Sequence, residues 1–250
     1  MKSGLYSSVV PIYSRAQTHA ARAPGMSRNS PTVLYDFLAP AYDPLLKPIY
    51  APFRRRALRF LKAGPGNSVL DLACGTGQNF PHLRSALGEN GRIIGVDVSG
   101  GMLRKARQTA SRAGCAPLSL MQIDAARLTP SLLVEETGLA EVDAVICTYG
   151  FTAMRNWEEA FHRSYALLKP GGTYLIHDIH AQKRNLHVSA FELATQVDLS
   201  RKSWQPLQAL SHDFHFEYID PSAFIFAGRL FVACGIKPPR ELRCGSRRCT

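Results

Sequence analysis

The sequence predicts an α/β protein built on a doubly wound, mostly parallel sheet of seven strands, with an antiparallel C-terminal strand and an N-terminal helical cap. Three observations carry this. Between residues 68 and 178, short β-rich runs alternate with helix-periodic ones, the signature of βα units whose parallel strands are covered on both faces. The first of these runs ends in a glycine-rich turn that opens a helix. After residue 210 two further runs, Phe214 to Ile219 and Leu230 to Ile236, leave no room for a long helix between them and are expected to pair antiparallel at one edge.

Taken in order, Leu34 to Ala63 comes first, an apolar and aromatic segment interrupted every four residues by Pro40, Pro44, Pro48 and Pro52. Proline inside a helix removes a hydrogen bond and clashes with the preceding turn, so short kinked helices are expected until Pro52 opens a longer one. Strands are expected at Ser68 to Leu72, Arg92 to Val98, Leu118 to Ile123, Asp143 to Thr148 and Thr173 to Asp178, before the late pair. A helix should start near Gln78. Gly101 to Ala113 places Leu103, Ala106, Ala110 and Ala113 on one helical face, and Trp157 to Leu168 does the same with Trp157, Ala160, Phe161, Tyr165 and Leu168. Asn156 followed by Glu158 and Glu159 marks a helix start, and Lys169-Pro170-Gly171-Gly172 a helix stop with a turn. The chain divides into a disordered or targeting leader (1–30), a helical cap (31–63), a ligand-binding domain (64–236) and a basic tail (237–250).

Composition narrows the class. With 250 residues, 46% of them apolar, the chain can bury a large core, which excludes a disordered chain or a disulfide-stapled miniature. No stretch reaches the ~18 unbroken apolar residues of a membrane span; Ala223 to Ile236 comes nearest and is cut by Arg229. The net charge of +11 sits mostly at the ends: residues 1–35 and 236–250 hold eight of these charges. Charge so placed does not line a working face as in a nucleic-acid enzyme, and suits solvated arms or weak anchors to anionic membranes. The six cysteines lack paired spacing, and Cys74, Cys147 and Cys234 lie in apolar runs, as in a reducing compartment. A cytoplasmic location follows, or a mitochondrial one if the acid-free, Arg- and Ser-containing leader is a transit peptide.

The strongest motif is Val69-Leu70-Asp71-Leu72-Ala73-Cys74-Gly75-Thr76-Gly77. In an open parallel sheet, ligands bind beyond the carboxyl ends of the strands, where glycines let the backbone approach them. Dinucleotide binders use G-x-G-x-x-G, but Phe80 occupies the third glycine position, and a buried-strand carboxylate would repel a pyrophosphate. The stretch resembles the nucleoside-binding turn of the class I S-adenosylmethionine-dependent methyltransferases, acid-x-Gly-x-Gly-x-Gly, with Ala73 in the first glycine position and Gly75 and Gly77 in the other two.

That resemblance covers roughly residues 35 to 235. It implies a Rossmann-like fold, S-adenosylmethionine as cofactor and S-adenosylhomocysteine as product. It also implies that Asp71 holds the ammonium or orders water at the methionine end. Asp97, in Gly95-Val96-Asp97-Val98-Ser99, would take both ribose hydroxyls, and Asp124, in Ile123-Asp124-Ala125, the adenine amino group. Val98, Met102, Ala125 and Thr148 would complete the cofactor contacts. The segment Leu34 to Asp43 looks like the Tyr-Asp-x-x-Ala-x-x-Tyr-Asp opening of quinone C-methyltransferases and bacterial phospholipid N-methyltransferases, which implies that Tyr42 lies against the cofactor, with Tyr35 a second candidate.

Cys147-Thr148-Tyr149-Gly150 lacks the Asn/Asp-Pro-Pro-aromatic sequence of enzymes that methylate DNA bases, and nothing resembles an RNA-binding module, so no nucleic-acid partner is expected. Methyl transfer from a sulfonium needs alignment above all, and a base only for a hydroxyl or carbon acceptor. The candidate bases are His180 and His177, with Asp178 between them, at and beyond the end of the fifth strand. Tyr149 is the third catalytic candidate. No metal is expected, because a third spaced ligand is lacking. Tyr149, Phe151, Trp204, Phe214, Phe216, Tyr218, Phe224 and Phe226 supply aromatic walls or core; the walls favour an apolar acceptor or a methylated cation held by its π faces, and the leading reading is a small, apolar or lipid-like acceptor. Transfer of an aminocarboxypropyl group, or a non-methylating use of the same cofactor, is the alternative.

Overall fold

The structure is a computed structural model that describes residues 50–115, 117–183, 185–219 and 228–239. The leader, residues 31–49 of the cap with Tyr35 and Tyr42, the aromatics Phe224 and Phe226, and the tail from residue 240 lie outside the described residues.

Seven strands form a single sheet: β1 (Ser68–Leu72), β2 (Arg92–Asp97), β3 (Leu118–Gln122), β4 (Val142–Thr148), β5 (Leu168–His180), β6 (His212–Tyr218) and β7 (Arg229–Ile236). Their order is β3-β2-β1-β4-β5-β7-β6. β1 pairs parallel with β2 on one side and β4 on the other, so the chain changes direction of progress there and opens a crevice at the carboxyl edge. All five residues of β1 are buried, as a central strand covered on both faces requires. β7 is antiparallel to both of its neighbours, inserted between β5 and the edge strand β6.

Helices cover both faces. Residues 50–58 form α1, with Pro52 inside it, followed by α2 (Phe80–Leu87), α3 (Gly100–Arg112), α4 (Pro130–Thr137), α5 (Trp157–Ala166), α6 (Leu186–Thr195) and α7 (Gln205–Leu210). One core joins Ala57, Phe80, Leu83, Leu103, Ala106 and Val188 to Val69, Ile146 and Leu175 of the sheet. The other joins Leu133, Phe161 and Leu207 to Leu70, Val145 and Ile176. Alternate residues of each strand therefore serve opposite cores, the period-two rule of a pleated sheet. Among the described residues no helix is long and apolar enough to cross a membrane.

Several boundaries differ from expectation. Lys169 to Gly172, expected to be a turn before the fifth strand, lies inside β5: Leu168 pairs with Val142 and Thr173 with Ala144, so the four residues between bulge out. Gly171 takes φ +77° there. Lys237, expected to belong to the tail, closes this bulge. Its backbone N–H donates to the Gly172 carbonyl at 2.9 Å, and its Nζ donates to the Tyr165 carbonyl at 2.9 Å at the end of α5. The helix after the glycine turn begins at Phe80, not Gln78, because residues 76–79 are spent on the turn. α4, α6 and α7 were not anticipated. α4 nevertheless carries a legible start and stop, with Thr129 Oγ1 accepting from the Leu132 N–H and Gly138 in the left-handed conformation.

Candidate functional site

The topology brings Asp124, Asp97, Asp71 and Thr148 to the carboxyl ends of β3, β2, β1 and β4, four consecutive strands of the sheet. At about 4.8 Å per strand this is a polar rim roughly 14 Å long. An elongated ligand laid across it would meet one carboxylate after another.

The turn after β1 is held by the second acid. Asp97 Oδ2 accepts from the Gly75 N–H at 2.9 Å and Oδ1 from the Ser99 N–H at 2.9 Å, which fixes the carboxylate beside the turn. Ser99 in turn caps α3, its Oγ accepting from the Met102 N–H at 3.0 Å. Ala73 adopts φ +48°, a left-handed conformation that costs an alanine about 1–2 kcal/mol and that a glycine would take freely. Gly75 and Gly77 differ in purpose. A Cβ on Gly75 would meet nothing nearer than 3.9 Å, so its bare face borders open space, whereas one on Gly77 would lie 2.6 Å from the Phe80 ring. Phe80 thus packs where a dinucleotide binder has its third glycine. Val98 is exposed at the rim, Met102 and Ala125 are buried, and Asp124 is exposed with Oδ1 accepting from the Ala126 N–H at 3.0 Å.

Asp71 lies in a buried polar network. Asn79 Nδ2 donates to its Oδ1 at 2.9 Å and its Oδ2 at 3.0 Å, and Asn79 Oδ1 accepts from Arg54 Nη1 at 2.8 Å. The same guanidinium nitrogen donates to Thr148 Oγ1 at 2.6 Å. Burial pushes the Asp71 carboxyl up to about 7, against the hydrogen bonds of Asn79 and the charge of Arg54. Arg54 is only 8% exposed, and its Nε is buried without a partner. An orphaned donor beside a buried carboxylate fits a ligand end that carries both a positive and a negative group. Sequence reasoning missed Arg54 and Asn79; the Arg54-Arg55-Arg56 run gives no local sign of which arginine turns inward.

At the ends of β4 and β5, Tyr149 takes φ +57°, which turns its ring to the face occupied by Thr148 and His177. Its phenol lies 2.6 Å from His177 Nε2, and its ring stands 4.7 Å from Tyr50 and 5.1 Å from the Arg54 guanidinium. His177 Nδ1 lies 2.8 Å from the Phe231 carbonyl oxygen. A carbonyl only accepts, so Nδ1 carries the proton and Nε2 accepts from the Tyr149 hydroxyl. Burial, with the Arg54 charge adding to it, pushes His177 down to about 3, so the ring is neutral.

One expectation is corrected here. His177 and His180 both lie inside β5 near its carboxyl end, His180 as its last residue and not beyond it, and they face opposite sides of the sheet because residues three apart on a strand point opposite ways. His180 Nδ1 is 2.9 Å from the Tyr218 hydroxyl, with its ring edge-on to Trp204. Asp178 accepts from the Thr152 N–H at 3.1 Å and hydroxyl at 2.8 Å and so staples the loop after β4; burial raises its carboxyl to about 6. Phe151 is fully buried against Trp157 and Phe161, and the half-buried Trp204 and Phe216 pack against one another and against buried Phe231. Among the described residues no three His, Cys, Asp or Glu side chains converge as a metal site.

Residues 69–172 match the family described as a methyltransferase domain. The chain is 30% identical over 208 residues to the 2-phytyl-1,4-naphtoquinone methyltransferase of Synechococcus elongatus, covering 81% of this chain and 85% of that one. It is 32% identical over 94 residues to the aklanonic acid methyltransferase DauC of a Streptomyces species, where it spans 43% of the relative and 38% of this chain. Among solved structures, the phosphoethanolamine N-methyltransferase 2 of Haemonchus contortus with phosphomonomethylethanolamine and S-adenosylhomocysteine superposes with a TM-score of 0.63 at 16% identity, over 81% of this chain and 57% of that one.

Proposed function

Because this chain belongs to the S-adenosylmethionine-dependent methyltransferases and uses S-adenosylmethionine as its cofactor, we propose that it transfers the methyl group to a small, apolar or lipid-like acceptor by in-line displacement. The observation that carries the reading is the ordered rim of carboxylates on β3, β2 and β1 with the glycine turn among them. Asp124 takes the adenine amino group, Asp97 the ribose hydroxyls and Asp71 the ammonium. Ala73, Gly75, Gly77, Val98, Met102, Ala125 and Thr148 are assigned to the same cofactor, and the resemblance adds Tyr42. Bound there, the cofactor supplies a methyl group already activated by a positively charged sulfur.

The protein's own task is alignment and exclusion of water, and good alignment is worth effective molarities of ~10⁵ M or more, about 7 kcal/mol of barrier. Tyr149 is the group we assign to the acceptor. Its hydroxyl proton is committed to His177, so the phenol oxygen presents lone pairs to an incoming N–H, O–H or C–H. His177 is a positioning residue, neutral and turned away by its own two hydrogen bonds. The names of the naphtoquinone relatives and the Tyr50 and Tyr149 rings support an apolar acceptor. A lipid-like acceptor would bring the basic tails to an anionic membrane surface.

The test is mass spectrometry of a metabolite and lipid extract incubated with the enzyme and methyl-labelled S-adenosylmethionine. One extract component gaining the label, with S-adenosylhomocysteine formed in equal amount, supports the reading. Formation of methylthioadenosine would overturn it in favour of aminocarboxypropyl transfer.

A further inference from the structure

We propose that Arg201 is a positioning residue for methyl transfer: from the segment between α6 and α7 it fixes the turn that presents Tyr149, and so sets the rate of transfer without itself touching acceptor or cofactor. The inference rests on the assignment of Tyr149 above and adds a residue that neither the sequence motifs nor the comparisons supply.

Tyr149 sits in a conformation that does not hold itself. Its φ of +57° is disfavoured for a residue with a side chain, so neighbouring bonds must supply what the backbone lacks. The residues that follow are tied down accordingly. Gly150 has no room for a Cβ, which would lie 2.7 Å from Cys147 Sγ and 2.9 Å from the Ala73 Cβ, so the turn after β4 packs on the turn after β1. The Gly150 carbonyl accepts from the Ala153 and Met154 N–H groups, both at 3.0 Å, and Asp178 holds Thr152 by its N–H and hydroxyl.

Arg201 closes this turn from a distance in sequence. Its Nη1 donates to the Phe151 carbonyl at 2.7 Å and to the Met154 carbonyl, so two carbonyls three residues apart converge on one nitrogen. A guanidinium nitrogen of this kind carries two hydrogens, one for each, and its charge makes both bonds roughly twice as strong as neutral ones. Arg201 Nε donates to Asp198 Oδ2 at 3.2 Å, and the Asp198 N–H donates to the Thr152 carbonyl at 2.9 Å, so the same segment grips the turn twice. The segment is anchored in its turn. Leu199 is fully buried, its carbonyl accepting from the Ala181 N–H at 2.8 Å just past β5 and its N–H donating to Glu192 Oε1 at 2.9 Å. The clamp therefore joins the turn that carries Tyr149 to the chain leaving β5, the strand of its partner His177. A reacting group displaced by about 1 Å costs up to ~100-fold in rate, so loosening this turn is enough to slow transfer.

Nitrogen NMR of histidine-labelled protein saturated with S-adenosylhomocysteine tests this. The His177 Nε2 signal reports whether the Tyr149 phenol is in place, and Tyr149→Phe identifies that signal by moving it. Arg201→Gln is expected to move it in the same direction at least half as far. The same variant should lower label transfer from methyl-labelled S-adenosylmethionine into a metabolite and lipid extract by roughly 10- to 100-fold, with S-adenosylhomocysteine affinity within about twofold of wild type. Arg201→Lys keeps the cation without the planar fork and should give smaller changes in both signal and rate; it carries the test should Arg201→Gln fail to fold. A His177 signal at its wild-type position in the folded Arg201 variants, or an undiminished rate, overturns the proposal and leaves the role of Tyr149 standing. Wild-type label transfer by Tyr149→Phe overturns the Tyr149 assignment and this inference with it. Both measurements are made well below the thermal melts of the variants, where lost folding does not enter.

Discussion

Tyr149 and His177 are joined twice, by the Tyr149 N–H donating to the His177 carbonyl at 2.7 Å and by the phenol meeting His177 Nε2 at 2.6 Å. The backbone bond sets the strand end, and the left-handed φ of Tyr149 brings its side chain back over its partner. A non-glycine residue in that conformation is strained, and the two bonds hold it there.

Tyr149→Phe keeps the ring and loses the oxygen. It should lower kcat by roughly 10- to 100-fold, the scale of a positioned hydrogen bond in the transition state, with S-adenosylhomocysteine affinity within about twofold of wild type. His180→Ala provides the contrast. Because His180 faces the other core and partners Tyr218, its loss should cost roughly 1–3 kcal/mol of stability, read by urea unfolding, and less turnover than Tyr149→Phe. Greater damage to kcat by His180→Ala would reverse the assignment.

Asp97→Ala should weaken S-adenosylhomocysteine binding by roughly 1–3 kcal/mol, measured calorimetrically, since it removes charged acceptors and also frees the Gly75 and Ser99 amides. Unchanged affinity would refute the ribose assignment.

Gly77→Ala would place a methyl group 2.6 Å from the Phe80 ring and 3.2 Å from Ala106 Cα, at φ +77°. Left-handed strain of about 1–2 kcal/mol adds to the clash, so the expected loss is more than 2 kcal/mol in unfolding free energy. Gly75→Ala carries the strain without the clash, and its damage should appear mainly in cofactor affinity.

Asp71→Asn should separate stability from function. The folded protein holds the Asp71 proton up to about pH 7, whereas the unfolded chain releases it near 3.8. Its contribution is therefore full below about pH 3.8 and is lost as pH rises through 7. His177 has the opposite sign, with its contribution present above 6.5 and lost as pH falls through about 3, but it is common to both proteins and cancels in their difference. Between pH 4 and pH 8 the variant's stability relative to wild type should improve by roughly 2–4 kcal/mol, while its affinity for S-adenosylhomocysteine falls about tenfold. Urea unfolding of the ligand-free proteins at the two pH values measures the first, and a difference that does not change with pH would rule out a proton on Asp71.

Much of the fold was legible because it is written in local rules. The central strand Ser68–Leu72, the turn through Gly75 and Gly77, and the acids ending β1, β2 and β3 follow from alternation, glycine placement and the offset of each strand end. The short helices α4, α6 and α7 were not, since six to ten residues hold too few periods to stand out from a loop. The separation of His177 from His180 depends on β5 running on to residue 180, and β7 beside it makes that possible by pairing residue for residue through His180 and Arg229.

The amino-acid sequence by itself determined the alternating α/β architecture, the glycine-rich turn and an acid at the end of each of the first three strands, because each is written in residues within a few positions of one another. Only the tertiary structure decided that Arg54, 25 residues from Asn79 and 94 from Thr148, turns inward between them, and that Tyr149 closes on His177. Burial and charge pairing are properties of what packs together in space, and a helix with three consecutive arginines acquires a buried cation only once the sheet edge comes to meet it.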